Sequence, residues 1–200
     1  MTTVKPRMTE EQFMRLPDDG RKYELVDGEA KEVAAGVEHD VIGLHIGVLL
    51  APLARGKGFL AGSQAGFRMH SANIRCPDVS FTLKERFPSG RPPKGFGDFA
   101  PDLCIEIISP SEDWDEALRT VEEYFAAGAQ RVWHLFSETQ RAVVYRSPGE
   151  TTEYEAQDEL AGEDLLPGFH CRVAELFEIE WWPVTSSAAS VRSHPVNARS

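Results

Sequence analysis

Residues 101–111 read Pro-Asp-Leu-Cys-Ile-Glu-Ile-Ile-Ser-Pro-Ser, a short apolar strand that breaks into a loop and opens a helix at Ser111. Leu103, Cys104, Ile105, Ile107 and Ile108 are apolar on both faces of such a strand, which predicts a central strand covered on both sides. Glu106 sits in its middle. An ionised group there needs a partner, a metal or a raised pKa. The alternative is a structural glutamate held by hydrogen bonds, the usual way buried polar groups are tolerated.

A second copy of the pattern lies upstream, at Arg75-Cys-Pro-Asp-Val-Ser-Phe-Thr-Leu-Lys84. Side chains alternate along a strand, so Val79, Phe81 and Leu83 share one face while Asp78, Ser80 and Thr82 share the other. If the two strands are neighbours, Asp78 and Glu106 converge on one cleft as paired hard oxygen ligands of the kind Mg²⁺ prefers. For Asp78 alone, the competing expectation is a solvated strand residue.

The chain has 200 residues, 42% of them apolar, enough for one domain with its own core. No apolar run approaches a membrane span and no hydrophobic segment follows the basic N-terminus, so a cytoplasmic protein is expected. Cys76, Cys104 and Cys171 are scattered and form no Cys-x-x-Cys pair, and no two histidines have ligand spacing on a helix, which argues against zinc. The net charge of −11 argues against strong nonspecific attraction to phosphate backbones. A local basic patch is confined to residues 84–94, with Lys84, Arg86, Arg91 and Lys94, where a solvated proline-rich loop is the competing expectation.

The remaining elements follow from local signals. Thr9-Glu-Glu-Gln12 is a capping box opening a helix through Leu16. Residues 22–26 and 29–34 form a hairpin around Asp27-Gly28. In it Glu24 points away from Tyr23 and Leu25, toward solvent or a cleft, and alternation by itself favours solvent. Residues 38–53 form a core helix with His39 exposed in its first turn, and residues 56–62 and 65–69 form two short strands. A helix over 111–127 has Glu112, Asp113, Asp115 and Glu116 at its start, as suits its dipole, and buries Ala117, Val121, Tyr124 and Phe125. Strands are expected at 131–136, 141–146 and 151–154, a turn at 164–169 and a short helix at 173–178. An arm over 1–8, a single domain over 9–182 and a disordered tail over 183–200 complete the expected organisation.

Three phrases carry a resemblance: Lys22-Tyr-Glu-Leu-Val-Asp-Gly-Glu29, Arg75-Cys-Pro-Asp-Val-Ser-Phe81, and Ala100-Pro-Asp-Leu-Cys-Ile-Glu-Ile-Ile-Ser-Pro-Ser111 with Tyr124-Phe-Ala-Ala-Gly128 and Val132-Trp133 after it. In this order they resemble the Uma-type restriction endonuclease family, a branch of the PD-(D/E)xK nuclease superfamily. The resemblance implies an α+β (α/β) restriction endonuclease-like fold, a mixed central β-sheet flanked by helices with an N-terminal β-hairpin. It also implies a Mg²⁺-dependent endonuclease acting on DNA, with Mn²⁺ as a substitute ion, assembled as a homodimer. The family acids fall on Asp78 and Glu106, the implied metal ligands, and on Glu24. The family lysine does not: two residues after Glu106 stands Ile108, and the alternative family position, four before Tyr124, is Thr120. Arg119 points away from that edge of the helix, toward Glu116 and Glu123, and is a poor substitute. A noncatalytic relative that binds nucleic acid or protein is therefore the second expectation.

Overall fold

A computed structural model describes residues 7–179, apart from 18, 34, 35 and 111. The expected tail over 183–200 and residues 1–6 of the expected arm lie outside the described residues.

The central strand is β7 (Leu103–Ile108) of a six-stranded sheet. With β3 (Gly58–Gly62), β6 (Val79–Leu83), β8 (Arg131–Phe136), β9 (Arg141–Ser147) and β10 (Glu150–Tyr154), the order is β10-β9-β8-β7-β6-β3. Only β7 and β8 run parallel, so the sheet is mixed. Parallel neighbours need a crossover, and α3 (Trp114–Ala126) supplies it on one face. The long helix α2 (Val37–Ala54) covers the other.

Alternation along β7 then decides where each side chain goes. Leu103, Ile105 and Ile107 pack with Ile42, Ile46 and Leu50 of α2, while Cys104 joins Val121 and Tyr124 of α3. Fully burying each such aliphatic side chain contributes roughly 1.5–3 kcal/mol, so these two layers hold the sheet. Glu106 must share the face of Cys104, beneath α3.

A smaller sheet abuts this one. The hairpin strands β1 (Tyr23–Val26) and β2 (Glu29–Glu32) turn through Asp27 and Gly28, both at positive φ (52° and 77°), the conformation a two-residue hairpin loop requires. Strand β5 (Ile74–Arg75) pairs with β1, Leu25 opposite Ile74, and β4 (Phe67–Arg68) closes the order β2-β1-β5-β4. The expected continuous strand from Arg75 thus splits at Cys76-Pro77-Asp78, and its two halves join different sheets.

Several boundaries differ from expectation. The Thr9 capping box forms, Gln12 N–H donating to Thr9 Oγ1 at 3.2 Å, but α1 ends at Phe13 (Glu10–Phe13). Helix α3 starts at Trp114, capped by Asp113, rather than at Ser111. The final helix is a 3-10 turn, Val173–Phe177, and a two-stranded ribbon of β11 (Glu159–Ala161) and β12 (His170–Arg172) had no counterpart in the sequence reading. Among the described helices only α2 is long and apolar enough to cross a membrane, a test that core helices also meet. Its inner side lies on the sheet, but it is not core all round: Val37 is 84% and Leu44 71% exposed.

Candidate active site

The two acids reach one cavity by different routes. Strand β6 pairs antiparallel with β7, Val79 opposite Ile105, so Asp78, one residue ahead of the ladder, lies beside the end of β7. There Asp78 Oδ2 accepts the Ile107 N–H at 2.9 Å. Glu106 reaches the same region from beneath α3, where Tyr124 Oη donates to its Oε1 at 2.5 Å. Asp78, Glu106, Glu24 and Thr120 all line a cavity of about 690 Å³ between α2, α3 and the strand ends.

Each acid is half engaged. Asp78 Oδ1 and Glu106 Oε2 receive no hydrogen bond among the described residues, which leaves one oxygen on each for another ligand. Burial, then the neighbouring charge of Asp78, push the Glu106 pKa well above the carboxylate range, against the Tyr124 hydrogen bond. Two carboxylates crowded into low dielectric resist joint ionisation, and a divalent cation would remove that resistance. The structural alternative raised for Glu106, a hydrogen-bonded buried acid, is thus met at one oxygen only.

Glu24 does not face solvent, as alternation alone favoured. Its Oε1 accepts the Cys76 N–H at 2.7 Å and its Oε2 accepts from Arg75 Nη1 at 3.2 Å. The side of β1 opposite Leu25 faces Arg75 and the cavity, a placement set by the pairing with β5 and invisible within the hairpin. Thr120 lines the cavity but its Oγ1 donates to Glu116 O, within its own helix, at 3.0 Å. Arg119 pairs with Glu116 and does not line the cavity, as its helical position predicted.

Three residues were missed. Arg75, only 5% exposed, donates from Nε to Glu123 at 2.8 Å, from Nη1 to Glu24 and from Nη2 to Glu116 at 3.0 Å. Burial opposes its charge, but the carboxylates of Glu24 and Glu123 outweigh burial and hold its pKa above the ordinary value. His39 is not an exposed first-turn residue: its Nε2–H donates to Ile107 O at 2.8 Å and lies 3.2 Å from Asp78 Oδ2. The Asp78 hydrogen bond raises the His39 pKa against the opposing effect of burial. The tell-tale was its place in the first turn of a helix packed on β7, which sequence spacing does not reveal.

His134, on β8 opposite Glu106, is fully buried, with Nδ1 3.3 Å from Tyr145 Oη and no partner for Nε2 among the described residues. Burial lowers its pKa to about 4. A histidine between Trp133 and Leu135 reads from sequence as one more strand residue.

In charge the cavity is lopsided, with nine Asp and Glu side chains against Lys31 and Arg75. A phosphodiester entering it meets repulsion unless cations accompany it. Among the described residues no three His, Cys, Asp or Glu side chains are grouped to hold a metal. Two carboxylates alone suit Mg²⁺, which keeps several waters and is bound through one or two carboxylates plus substrate oxygens. None of the basic loop residues Lys84, Arg86, Arg91 and Lys94 lines the cavity, and Arg86 is turned inward onto Asp102 Oδ1 at 2.9 Å and over the Phe99 ring at 4.2 Å.

Residues 10–174 match the Uma2 family, described as "Putative restriction endonuclease". A solved structure, that of a putative nuclease belonging to DUF820 from Anabaena variabilis ATCC 29413, is 20% identical. Its alignment covers 86% of this chain and 98% of that one with a TM-score of 0.74, a likeness of fold. No curated protein matches the chain.

Proposed function

The chain belongs to the Uma2 family, and from that premise we propose that it is a nuclease, a Mg²⁺-dependent endonuclease hydrolysing DNA phosphodiesters in the cavity of Asp78 and Glu106. The observation that supports this most is the free oxygen on each of these two acids at one cavity. Asp78 and Glu106 would hold the ion, with Mn²⁺ as a substitute. When bound, it supplies a Lewis acid that polarises the phosphodiester and lowers the pKa of water.

The remaining residues act on position. Ile107 N–H and His39 fix Asp78, and Tyr124 fixes Glu106. Glu24, with both oxygens engaged by Arg75 and Cys76, is a brace rather than a ligand. In the overall reaction the oxygen of water bonds to phosphorus, a P–O ester bond breaks, and the leaving oxygen takes up the proton.

Calorimetry with Mg²⁺ and Mn²⁺ tests the reading, alongside cleavage of supercoiled plasmid. Wild type should bind the ion and nick the plasmid, and Asp78→Asn should lose both. Equal binding by the two proteins would remove these acids from the site.

A second reading, a noncatalytic nucleic-acid or protein binding module, is favoured by Thr120, whose hydroxyl serves its own helix and carries no charge. If that reading is right, wild type leaves plasmid intact and Thr120→Lys gains metal-dependent cleavage or nothing. A homodimer is the assembly the nuclease reading carries, and sedimentation velocity measures it.

A further inference from the structure

Helix α2 is apolar on two sides, and the sheet uses one of them. Ile42, Ile46 and Leu50 face inward and are buried with Val79, Phe81 and Ile107. A helix that is apolar all round is ordinarily buried all round. Val37, Val41, Leu44 and Val48 nevertheless stand exposed on the other side, with Ala51 exposed after them. These five recur at intervals of four, three, four and three residues. That is the seam spacing of a coiled coil, the period at which one helix packs along another at a shallow crossing angle. Single exposed apolar residues need no explanation, but a seam five positions long does.

The same stripe says what fits it. Beside it runs an apolar groove of about 400 Å³ between α2 and the edge strand β3, lined by Leu44, Gly47, Val48 and Ala51 of the helix and by Leu60 and Ala61 of the strand. The four helix residues are those that surround a knob set opposite Val48. Gly47 leaves that hole open, since a Cβ added there would meet nothing within 4 Å. Positions 44 and 48 are symmetric about residue 46, as are 41 with 51 and 37 with 55. An antiparallel copy of α2 therefore presents Leu44 to Val48, Val41 to Ala51 and Val37 to Arg55, and receives the same contacts in return, the reciprocity of a two-fold interface. The charges agree with that direction. Asp40 lies in the first turn of α2 and Arg55 caps its other end, both exposed and neither in an ion pair among the described residues. Antiparallel pairing sets Arg55 of each copy beside Asp40 of the other, whereas parallel pairing brings like charges together.

We propose that this face of α2 is the interface between two copies of the chain, an antiparallel helix pair about a two-fold axis near Ile46, with Leu44 of each copy seated against Gly47 and Val48 of the other. It gives the homodimer of the nuclease reading a surface, but it rests on α2 alone and stands whether or not the protein cleaves DNA. Asp78 lines both the groove and the cavity, so the interface borders the acid pair.

Sedimentation velocity across a range of concentrations tests it on the full chain, with Gly47→Gln, Leu44→Glu, Asp40→Arg and Arg55→Glu. Gly47→Gln fills the hole and spares the monomer: its side chain enters open space, and loss of a mid-helix glycine favours the helix. We expect wild type to be a dimer, and Gly47→Gln and Leu44→Glu to raise its dissociation constant about tenfold or more while keeping the wild-type far-UV circular dichroism. Asp40→Arg and Arg55→Glu should each weaken the dimer about threefold alone and associate with each other when mixed, because every contact then again joins opposite charges. Cleavage is not read, so failure of the nuclease reading leaves the result intact. A wild type that stays monomeric at every concentration overturns the proposal. Loss of binding to phosphatidylcholine vesicles in Leu44→Glu would then give the face to a membrane, and a lower melting temperature of that variant would give it to the chain itself. A dimer that Gly47→Gln and Leu44→Glu leave as tight as wild type overturns it as well, since another surface then joins the copies. Failure of the two charge variants to associate when mixed overturns the antiparallel direction.

Discussion

Two charged clusters share the walls of one cavity and use charge in opposite ways. Around Arg75 a single buried guanidinium is matched on all three nitrogens by Glu24, Glu116 and Glu123. Asp78 and Glu106 line the same cavity with one oxygen apiece left over, and burial, then the charge of Asp78, raise the pKa of Glu106. The first cluster joins the small sheet to α3, whereas the second leaves one oxygen of each acid without a donor among the described residues. Saturated buried charge marks architecture, and unsaturated buried charge marks a site.

Removing the hub should break that contrast most visibly. Arg75→Met leaves three carboxylates clustered without their cation, and loss of one partner of a buried ion network costs about 3–5 kcal/mol. Urea unfolding of the variant measures it, and a loss below about 1 kcal/mol would show that the acids relax into solvent instead.

His134 offers a somewhat smaller effect, set by pH. Its folded pKa of about 4 lies below the ordinary 6.5, so the folded state prefers the neutral ring. That preference is fully present above pH 6.5 and is lost as pH falls through 6.5 toward 4, because the unfolded chain takes up the proton first. The shift corresponds to about 3 kcal/mol over that window. Unfolding curves of His134→Leu should lack this component, and the variant should equal or exceed wild type at neutral pH because the orphaned Nε2 is gone.

The smallest effect belongs to the pair. Glu106→Gln reproduces the neutral acid and still accepts from Tyr124, so in metal-free buffer its stability should stay within about 1 kcal/mol of wild type. Thermal unfolding decides it: a large loss would place Glu106 with Arg75 among the architectural charges and close the distance between the two clusters.

Much of this was legible one residue at a time. Glu106 announced itself as a lone carboxylate in an apolar run, Asp27-Gly28 fixed the hairpin, and the apolar stripe over Val121 and Tyr124 placed α3 on the sheet. Each is a local signal: a burial penalty, a backbone conformation, a helical period. The misreadings have one cause as well. Alternation alone favoured solvent for Glu24, against the resemblance, because alternation within β1 says which residues oppose Leu25, not what covers the opposite side. His39 and Arg75 find their partners at Asp78, Glu116 and Glu123, across elements far apart in the chain. The outer side of α2 was counted as core because hydrophobicity marks what can be buried without saying what will be.

By itself, then, the order of residues determined that a strand with a carboxylate in its middle would sit within an apolar layer. Only the folded chain decided which donors would occupy which oxygens, since hydrogen bonds and ion pairs act over a few ångströms and depend on packing between distant segments. That assignment leaves Asp78 and Glu106 half free and Arg75 fully bound.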